Sequence, residues 1–406
     1  MRIALINNLD HGGGAERVVR SLREGLRTRG HDVTLWVGRR RTQDDRVGTQ
    51  VLGRTEAERL AAHRYARKGF YGLGIRSSDR FVESNALAGH DVVHLHNVHG
   101  HYLSLTAIVR LAQRFPLIWT FHDFFPITGG CAFPCECDRW MTTCGHCPQA
   151  GRYPVGPFAD RTRRLLGVKR ELFGDLPVTI VVPSQHLADA VQRSRMFKAV
   201  ETHVIPYGVD TDVFAPRRDR AREDLGLSDR ERVVLLVAPR LHDPRKGIEY
   251  AVAALRRLDL DDLTVLVVGS GDSQPIADRL GRDRVKMMGY IKDGAMLAAC
   301  YAAADLFLFT SLAENFPCAV QEAMASGTPV LGFDIEGVNE QVVSGKTGLL
   351  VSLRDPIALK DAARRLLTDG SLRRNLGVAA RKKAYTRWSL DWFVSRHEEL
   401  YARLVG

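Results

Sequence analysis

The residues best placed to do chemistry lie in one string, Glu314-Asn-Phe-Pro-Cys-Ala-Val-Gln-Glu322. It follows an apolar run at residues 305–309 that reads as a buried strand, and its second half reads as a helix. Pro317 suits the first helical turn, where a missing N–H costs little. Glu314 then precedes the helix, and Glu322 lies one to two turns inside it. A helix N-terminus presents backbone N–H groups and the positive end of a dipole, which suits a diphosphate. Two carboxylates beside such a site can accept hydrogen bonds from sugar and ribose hydroxyls. Ordinary surface glutamates could show the same spacing, so the rest of the chain must supply the context.

The elements that would position this string come in two rounds. Buried-strand patterns fall at residues 2–7, 32–37, 91–95, 117–121, 179–183 and 203–205, with a helix at 15–27. The pattern restarts with strands at 233–238, 264–269, 285–288, 305–309, 329–332 and 349–351, and helices near 248–258 and 318–325. Short apolar runs separated by helices indicate parallel sheets covered on both faces. Two α/β domains, each a Rossmann-like doubly wound parallel sheet, are therefore expected to face an interdomain cleft, where such sheets bind ligands. The expected division is 1–205, 206–385 and a C-terminal helix in 386–406 packing back on the first domain. The segment 205–216, with two prolines and a glycine, is the expected hinge.

Composition narrows the function. The chain has 406 residues, 45% hydrophobic and 26% charged, which fits two globular domains and no low-complexity tract. No apolar run approaches the ~20 residues of a membrane span, and the N-terminus does not read as a signal peptide. A cytoplasmic address is expected. The net charge of +11 fits phosphorylated substrates, an anionic membrane surface or nucleic acid. No nucleic-acid-binding signature accompanies the basic residues, so nucleic acid is not an expected partner.

The string 314–322, together with Gly12-Gly13-Gly14-Ala15-Glu16-Arg17, resembles glycosyltransferase family 4, retaining enzymes of the GT-B fold. The resemblance covers nearly the whole chain. It takes in Pro183-Ser184, Ile205-Pro206-Tyr207-Gly208-Val209-Asp210, Arg240 with Lys246-Gly247, Gly269-Ser270-Gly271, Ala303-Ala304-Asp305 and Thr347-Gly348-Leu349. Within the family, Leu95-His-Asn-Val-His-Gly100 and the run from His122 to Cys131 are similar to an exopolysaccharide and colanic-acid subgroup.

The resemblance implies roles. Arg240 and Lys246 would neutralise the donor diphosphate, Glu322 would hold the ribose, and Glu314 the donor sugar. Asn315, Phe316 and Pro317 would line the donor site, and Gly13 and Gly14 would let the backbone approach the phosphates. His122 would act near the anomeric carbon, with Asp123 a candidate helper. His122 and Glu314 are thus the expected catalytic pair. The resemblance also implies transfer with retention, without a protein nucleophile, from a UDP- or GDP-type donor to a sugar, polyprenyl-linked or small-molecule hydroxyl. No cofactor is expected for donor chemistry. Asp210-Thr-Asp212 and Asp259-Leu-Asp261 are misplaced for a manganese-dependent donor site.

Five of the seven cysteines, Cys131, Cys135, Cys137, Cys144 and Cys147, crowd one loop, expected at 129–148. In a cytosolic protein that clustering favours a structural metal over disulfides, although an iron–sulfur cluster, disulfides or free thiols fit the count as well. A closed zinc site of Cys131, Cys137, Cys144 and Cys147 is the form the subgroup resemblance implies. Residues 54–80 read as helical, basic and amphipathic, which suits peripheral contact with anionic lipid on the inner membrane face and equally suits a solvated helix face. Bacterial polysaccharide or glycoconjugate assembly is the expected setting. A natural-product glycosyltransferase, a nucleotide-sugar epimerase or a non-catalytic nucleotide-sugar-binding protein would share parts of the pattern.

Overall fold

A computed structural model describes residues 1–42, 49–52, 55–156, 159–197 and 200–406. The chain divides into two compact units, Met1–Pro206 with Phe393–Gly406, and Tyr207–Trp392.

Among the described residues the first unit carries seven strands: β1 (Arg2–Leu9), β2 (Asp32–Arg39), β3 (Thr49–Val51), β4 (Val92–Leu95), β5 (Leu117–Thr120), β6 (Thr179–Val182) and β7 (Thr202–Val204). They form one parallel sheet in the order β3-β2-β1-β4-β5-β6-β7. The central strands are buried on both faces, Ile3 to Ile6 and Val92 to Leu95 alike, which explains the unbroken apolar run of β1, while β4 buries His94 among its apolar residues. The helix Gly14–Thr28 opens immediately after β1, and its Val18, Val19, Leu22 and Leu26 form the stripe that covers the sheet. The terminal helix Leu390–Val405 enters this unit at Phe393. Its approach is close: a Cβ on Gly25 would stand 2.4 Å from Val394 Cγ2, so only glycine fits there. Glu398 takes hydrogen bonds from Arg29 and His31, both at 2.7 Å, and Tyr401 meets His94 Nδ1 at 2.7 Å.

The second unit repeats the plan with β8 (Arg232–Arg240), β9 (Leu263–Ser270), β10 (Val285–Gly289), β11 (Leu306–Phe309), β12 (Val330–Phe333) and β13 (Gly348–Val351). All six are parallel, ordered β10-β9-β8-β11-β12-β13. Both sheets therefore reverse direction once, between β1 and β4 and between β8 and β11. Loops leaving the carboxyl ends of those strands diverge and leave a crevice.

A buried ionic cluster ties the edge of the second unit to its centre. Asp305, 3% exposed, pairs with Arg222 at 2.7 Å, Arg218 at 2.8 Å and Arg373 at 3.3 Å, and accepts the Val233 backbone N–H at 2.9 Å. Arg222, 1% exposed, spends its other N–H groups on the carbonyls of Ala303, Ser228 and Glu231. Every member of the cluster is thereby hydrogen-bonded, the condition under which buried charge is tolerated.

Three features differ from the sequence reading. The basic stretch at 54–80 is two helices, Glu56–Arg67 and Arg76–Glu83, because Gly69, Gly72 and Gly74 all take positive φ between them. Its Arg54 lies outside the described residues. Part of its charge is met locally, since Arg59 pairs with Glu56 and Arg80 with Glu58. Pro317 stands at the N-cap of the helix Cys318–Ala325, one position before the first turn. Finally, the long helix Gly370–Trp388 and strand β3 had no counterpart in the sequence reading. Among the described residues no helix is long and apolar enough to cross a membrane.

Candidate functional site

On the second unit, the candidate residues gather on the two loops that flank the sheet's reversal. Arg240 ends β8 and is exposed. The chain then makes a single 3-10 turn, Pro244–Lys246, started by the Asp243 carboxylate accepting the Arg245 N–H at 3.0 Å. Across the reversal, the loop after β11 carries Glu314. Lys246 Nζ donates to Glu314 Oε1 at 2.5 Å and Arg245 donates to the same oxygen at 2.8 Å. Arg245 also donates to the Ala313 carbonyl at 2.9 Å, and the Leu312 N–H donates to the Arg245 carbonyl at 2.8 Å. The two loops are thus stitched by backbone as well as by charge.

Glu314 is not a loosely held surface carboxylate. Burial alone would raise its pKa, but Arg245 and Lys246 outweigh it and leave the group at about 2. A carboxyl held below its ordinary 4.5 stabilises the fold above that value and loses the contribution as pH falls through about 2. The shift corresponds to roughly 3 kcal/mol. Urea denaturation should therefore show a native chain more stable than Glu314→Gln at pH 6, with the gap closing between pH 4.5 and 2. A gap independent of pH would contradict the ion-pair assignment.

The segment after Glu314 turns inward. Asn315 and Phe316 are 3% and 5% exposed, and Phe316 packs edge-on to Tyr207 and Trp388. Gly337, at φ 78°, comes so close that a Cβ would stand 2.0 Å from the Asn315 carbonyl oxygen. The helix Cys318–Ala325 follows, and Glu322, 4% exposed, lies just over one turn in. Gln321 donates to the Tyr207 carbonyl at 2.5 Å and Gln341 to that of Pro317 at 3.2 Å, fixing the start and the middle of this helix against its surroundings. The structure therefore brings Lys246, Glu314, Asn315, Phe316, Pro317 and Glu322 onto two adjoining loops and one helix. It adds Arg245, which the sequence reading passed over although it stands beside Lys246 in Asp-Pro-Arg-Lys-Gly.

On the first unit, Gly13 is the N-cap and Gly14 the first residue of the helix that follows β1, with no side chain capping it. Asp10 orders the preceding loop, accepting the backbone N–H groups of Arg41 and Thr42 at 2.7 and 3.0 Å. His122 lies two residues beyond β5, and its Nε2 meets His96 Nδ1 at 3.2 Å. Burial pushes His122 down to about 4 and His94 and His96 well below their usual range, so these rings are neutral at neutral pH. Asp123 has a partner that spacing did not reveal: His99 Nε2 lies 2.8 Å from its carboxylate.

The cysteine loop is assembled only in part. Cys131, Cys137, Cys144 and Cys147 all line one shallow pocket, whereas Cys135 is exposed and outside it. Cys131, Cys137, Cys144 and Cys147 form no disulfide. Among the described residues no three His, Cys, Asp or Glu side chains are gathered closely enough, as placed, to hold a metal ion.

Two Rossmann-ordered units of this kind are the plan of the GT-B glycosyltransferases, and solved members of that class match over nearly the full length. The sucrose-phosphate synthase of Thermosynechococcus elongatus aligns with a TM-score of 0.75 and 26% identity, over 99% of this chain and 98% of that one. HepE of Anabaena, solved with UDP bound, aligns at 0.74 with 19% identity over 99% and 100% of the two chains, a likeness of fold. The family models for Glycosyltransferase Family 4 and Glycosyl transferases group 1 match residues 12–213 and 231–369. The chain belongs to glycosyltransferase family 4. Among its relatives, a glycosyl transferase of Escherichia coli K12 named for colanic acid biosynthesis, WcaC, is 28% identical over 64% of each chain. The D-inositol 3-phosphate glycosyltransferase of Corynebacterium urealyticum is 30% identical over 58% of this chain and 59% of its own. The matches thus span somewhat under two thirds of those relatives.

Proposed function

We propose that this protein transfers a sugar from a UDP- or GDP-type nucleoside diphosphate sugar to a hydroxyl acceptor, with retention of anomeric configuration, in bacterial polysaccharide or glycoconjugate assembly. The observation that carries the reading is the Lys246–Glu314–Arg245 cluster, set on the reversal of the second sheet beside the helix that bears Glu322. Departure of a nucleoside diphosphate develops negative charge, and fixed cations placed beforehand stabilise it in the transition state. Lys246 has three N–H groups, of which Glu314 takes one. The others, with Arg240, are the donors for the diphosphate. Glu314 holds the ammonium in place and presents a fixed carboxylate to the sugar, while Glu322 accepts from the ribose hydroxyls. His122, neutral and propped by His96 on the first unit, is the proposed catalytic histidine and acts without needing to carry charge. Incubation with UDP- and GDP-sugars of known anomeric configuration and a hydroxyl acceptor, read by proton NMR, tests the reading. Retention of the donor's configuration is expected; inversion would remove it.

The cysteine loop fits a structural role in this scheme rather than a chemical one. Four thiols on one pocket are the donor set of a closed zinc site, and zinc would supply a cross-link for a loop whose regular structure is a single 3-10 turn, Arg139–Met141. Because the thiols are not gathered as placed, holding the ion would require them to draw inward. Metal analysis of the purified chain should find about one zinc per chain, lost in Cys144→Ser, with donor binding indifferent to chelator. Zinc-free protein of unchanged stability would set that role aside.

A further inference from the structure

Inside the first unit a row of imidazoles runs from the terminal helix to His122. His397 lies over His94 with ring centroids 5.6 Å apart, His94 over His96 at 4.1 Å, and His96 over His122 at 5.4 Å. His94 is on β4 and His96 just after it, His122 follows β5, and His397 comes from the helix Leu390–Val405. Hydrogen bonds fix the row. His94 Nδ1 meets Tyr401 Oη and His94 Nε2 meets Thr120 Oγ1, both at 2.7 Å, and His96 Nδ1 meets His122 Nε2 at 3.2 Å. His397 Nδ1 lies 2.9 Å from the Phe393 carbonyl one turn back. His94, His96, His397 and Tyr401 are at most 1% exposed.

Among the described residues little charge faces this row. The strands beside it, residues 3–9 of β1 and Leu117–Thr120 of β5, contain no ionisable side chain. Asp123 follows His122 and pairs with His99 at 2.8 Å. On the terminal helix Glu398 pairs with Arg29 and His31, and Arg396 with Glu399. Arg403 acts on His203, which pairs with Glu201 at 2.8 Å. The helix Gly14–Thr28 meets the terminal helix at Gly25, with Arg23, Glu24 and Arg27 around it in sequence. Burial keeps the rings short of protons: His122 and His397 titrate at about 4, and His94 and His96 well below the usual 6.5, neighbouring imidazoles adding to the effect. The Asp123 carboxylate at His122 and the Phe393 carbonyl at His397 pull the other way without reversing it.

We propose that this row is an acid-sensitive latch, which holds the terminal helix on the first unit while its rings are neutral and releases the helix as they take up protons. An imidazolium inside the row is a buried charge among further imidazoles, and such a charge is costly unless paired. Above the usual 6.5 the rings are neutral whether the helix is docked or free, so docking does not depend on them. Below it, a released ring takes a proton that a docked ring refuses, and docking weakens. Departure of the helix carries off His397 and strips Tyr401 from His94, so two rings gain protons. Each favours release by about tenfold between pH 7.5 and 5.5. Glu398 responds in a different window, because His31 and Arg29 hold its carboxyl below the usual 4.5 and keep it ionised throughout this range. Release also takes the first ring from the row that supports the proposed catalytic histidine.

Hydrogen exchange of the whole chain, read by mass spectrometry and corrected for the intrinsic rate at each pH, tests the latch. From pH 7.5 to 5.5, opening of peptides from Leu390–Val405 should rise ~100-fold, with far smaller changes over β5 and β6. His397→Phe keeps an aromatic ring in the row but takes no proton, and should cut the rise to ~10-fold. Glu398→Gln should loosen the helix at pH 7.5 without lessening the rise. Equal opening at the two pH values, or an undiminished rise in His397→Phe, would overturn the latch. So would an equal rise over β5 and β6, which is acid unfolding of the whole unit. The native chain alone decides the first and last of these, and none needs a substrate.

Discussion

Glu322→Ala is expected to lower donor use by about 100-fold or more while leaving the chain folded. Glu322 is 4% exposed on the helix Cys318–Ala325, just past the turn that carries Glu314 to Pro317. A carboxylate there accepts charge-assisted hydrogen bonds from a vicinal diol, and its loss removes the acceptor without filling the space. The effect should fall on the donor's KM and on kcat/KM, because the ribose is bound alike in the ground and transition states. Glu322→Gln keeps an acceptor oxygen and should recover part of the loss. Kinetics unchanged in Glu322→Ala would take the nucleotide away from this helix altogether.

The second large effect concerns stability. Asp305→Ala should destabilise the second unit by roughly 3–5 kcal/mol, since it strands three guanidinium groups that the carboxylate now neutralises. Arg222 is the critical partner, 1% exposed and unable to turn to water. Urea denaturation followed by tryptophan fluorescence would register a lower midpoint with an unchanged slope. Asp305→Asn, which still accepts the Val233 N–H, should cost less than alanine. Equal stability of Asp305→Ala and the native chain would mean that the cluster is neutral to folding.

Much of this was legible from residue patterns because parallel strands buried on both faces write themselves as apolar runs. Among the described residues twelve of the thirteen strands have a counterpart in those runs, and the exception, β3, is a three-residue strand with only Val51 apolar. The helix Gly370–Trp388 is harder to see. Its sequence is basic with Gly377 at its middle, and that glycine is there for contact, since a Cβ would stand 2.2 Å from the Gly327 carbonyl oxygen. The site divides along the same line. Glu314 and Glu322 stand close in sequence, and their loop-then-helix placement follows from local chemistry. What Glu314 touches does not, because Arg245 and Lys246 are 69 and 68 residues away and are brought over by the pairing of β8 with β11. Likewise His99 and Asp123 are 24 residues apart on neighbouring strand ends, and Tyr153 reaches His99 from 54 residues downstream. Contacts of that kind are made by topology, and no spacing rule contains them.

The central claim is that the second unit binds a nucleoside diphosphate through Arg240, Lys246 and Glu322. Titration calorimetry of UDP, GDP, ADP and TDP against the purified chain tests it most directly. One nucleotide should bind selectively, with at least about tenfold weaker binding in Arg240→Ala and in Lys246→Ala, since each removes a charge-assisted contact. Binding that survives both substitutions unchanged, or no binding by any of the four, would contradict the account.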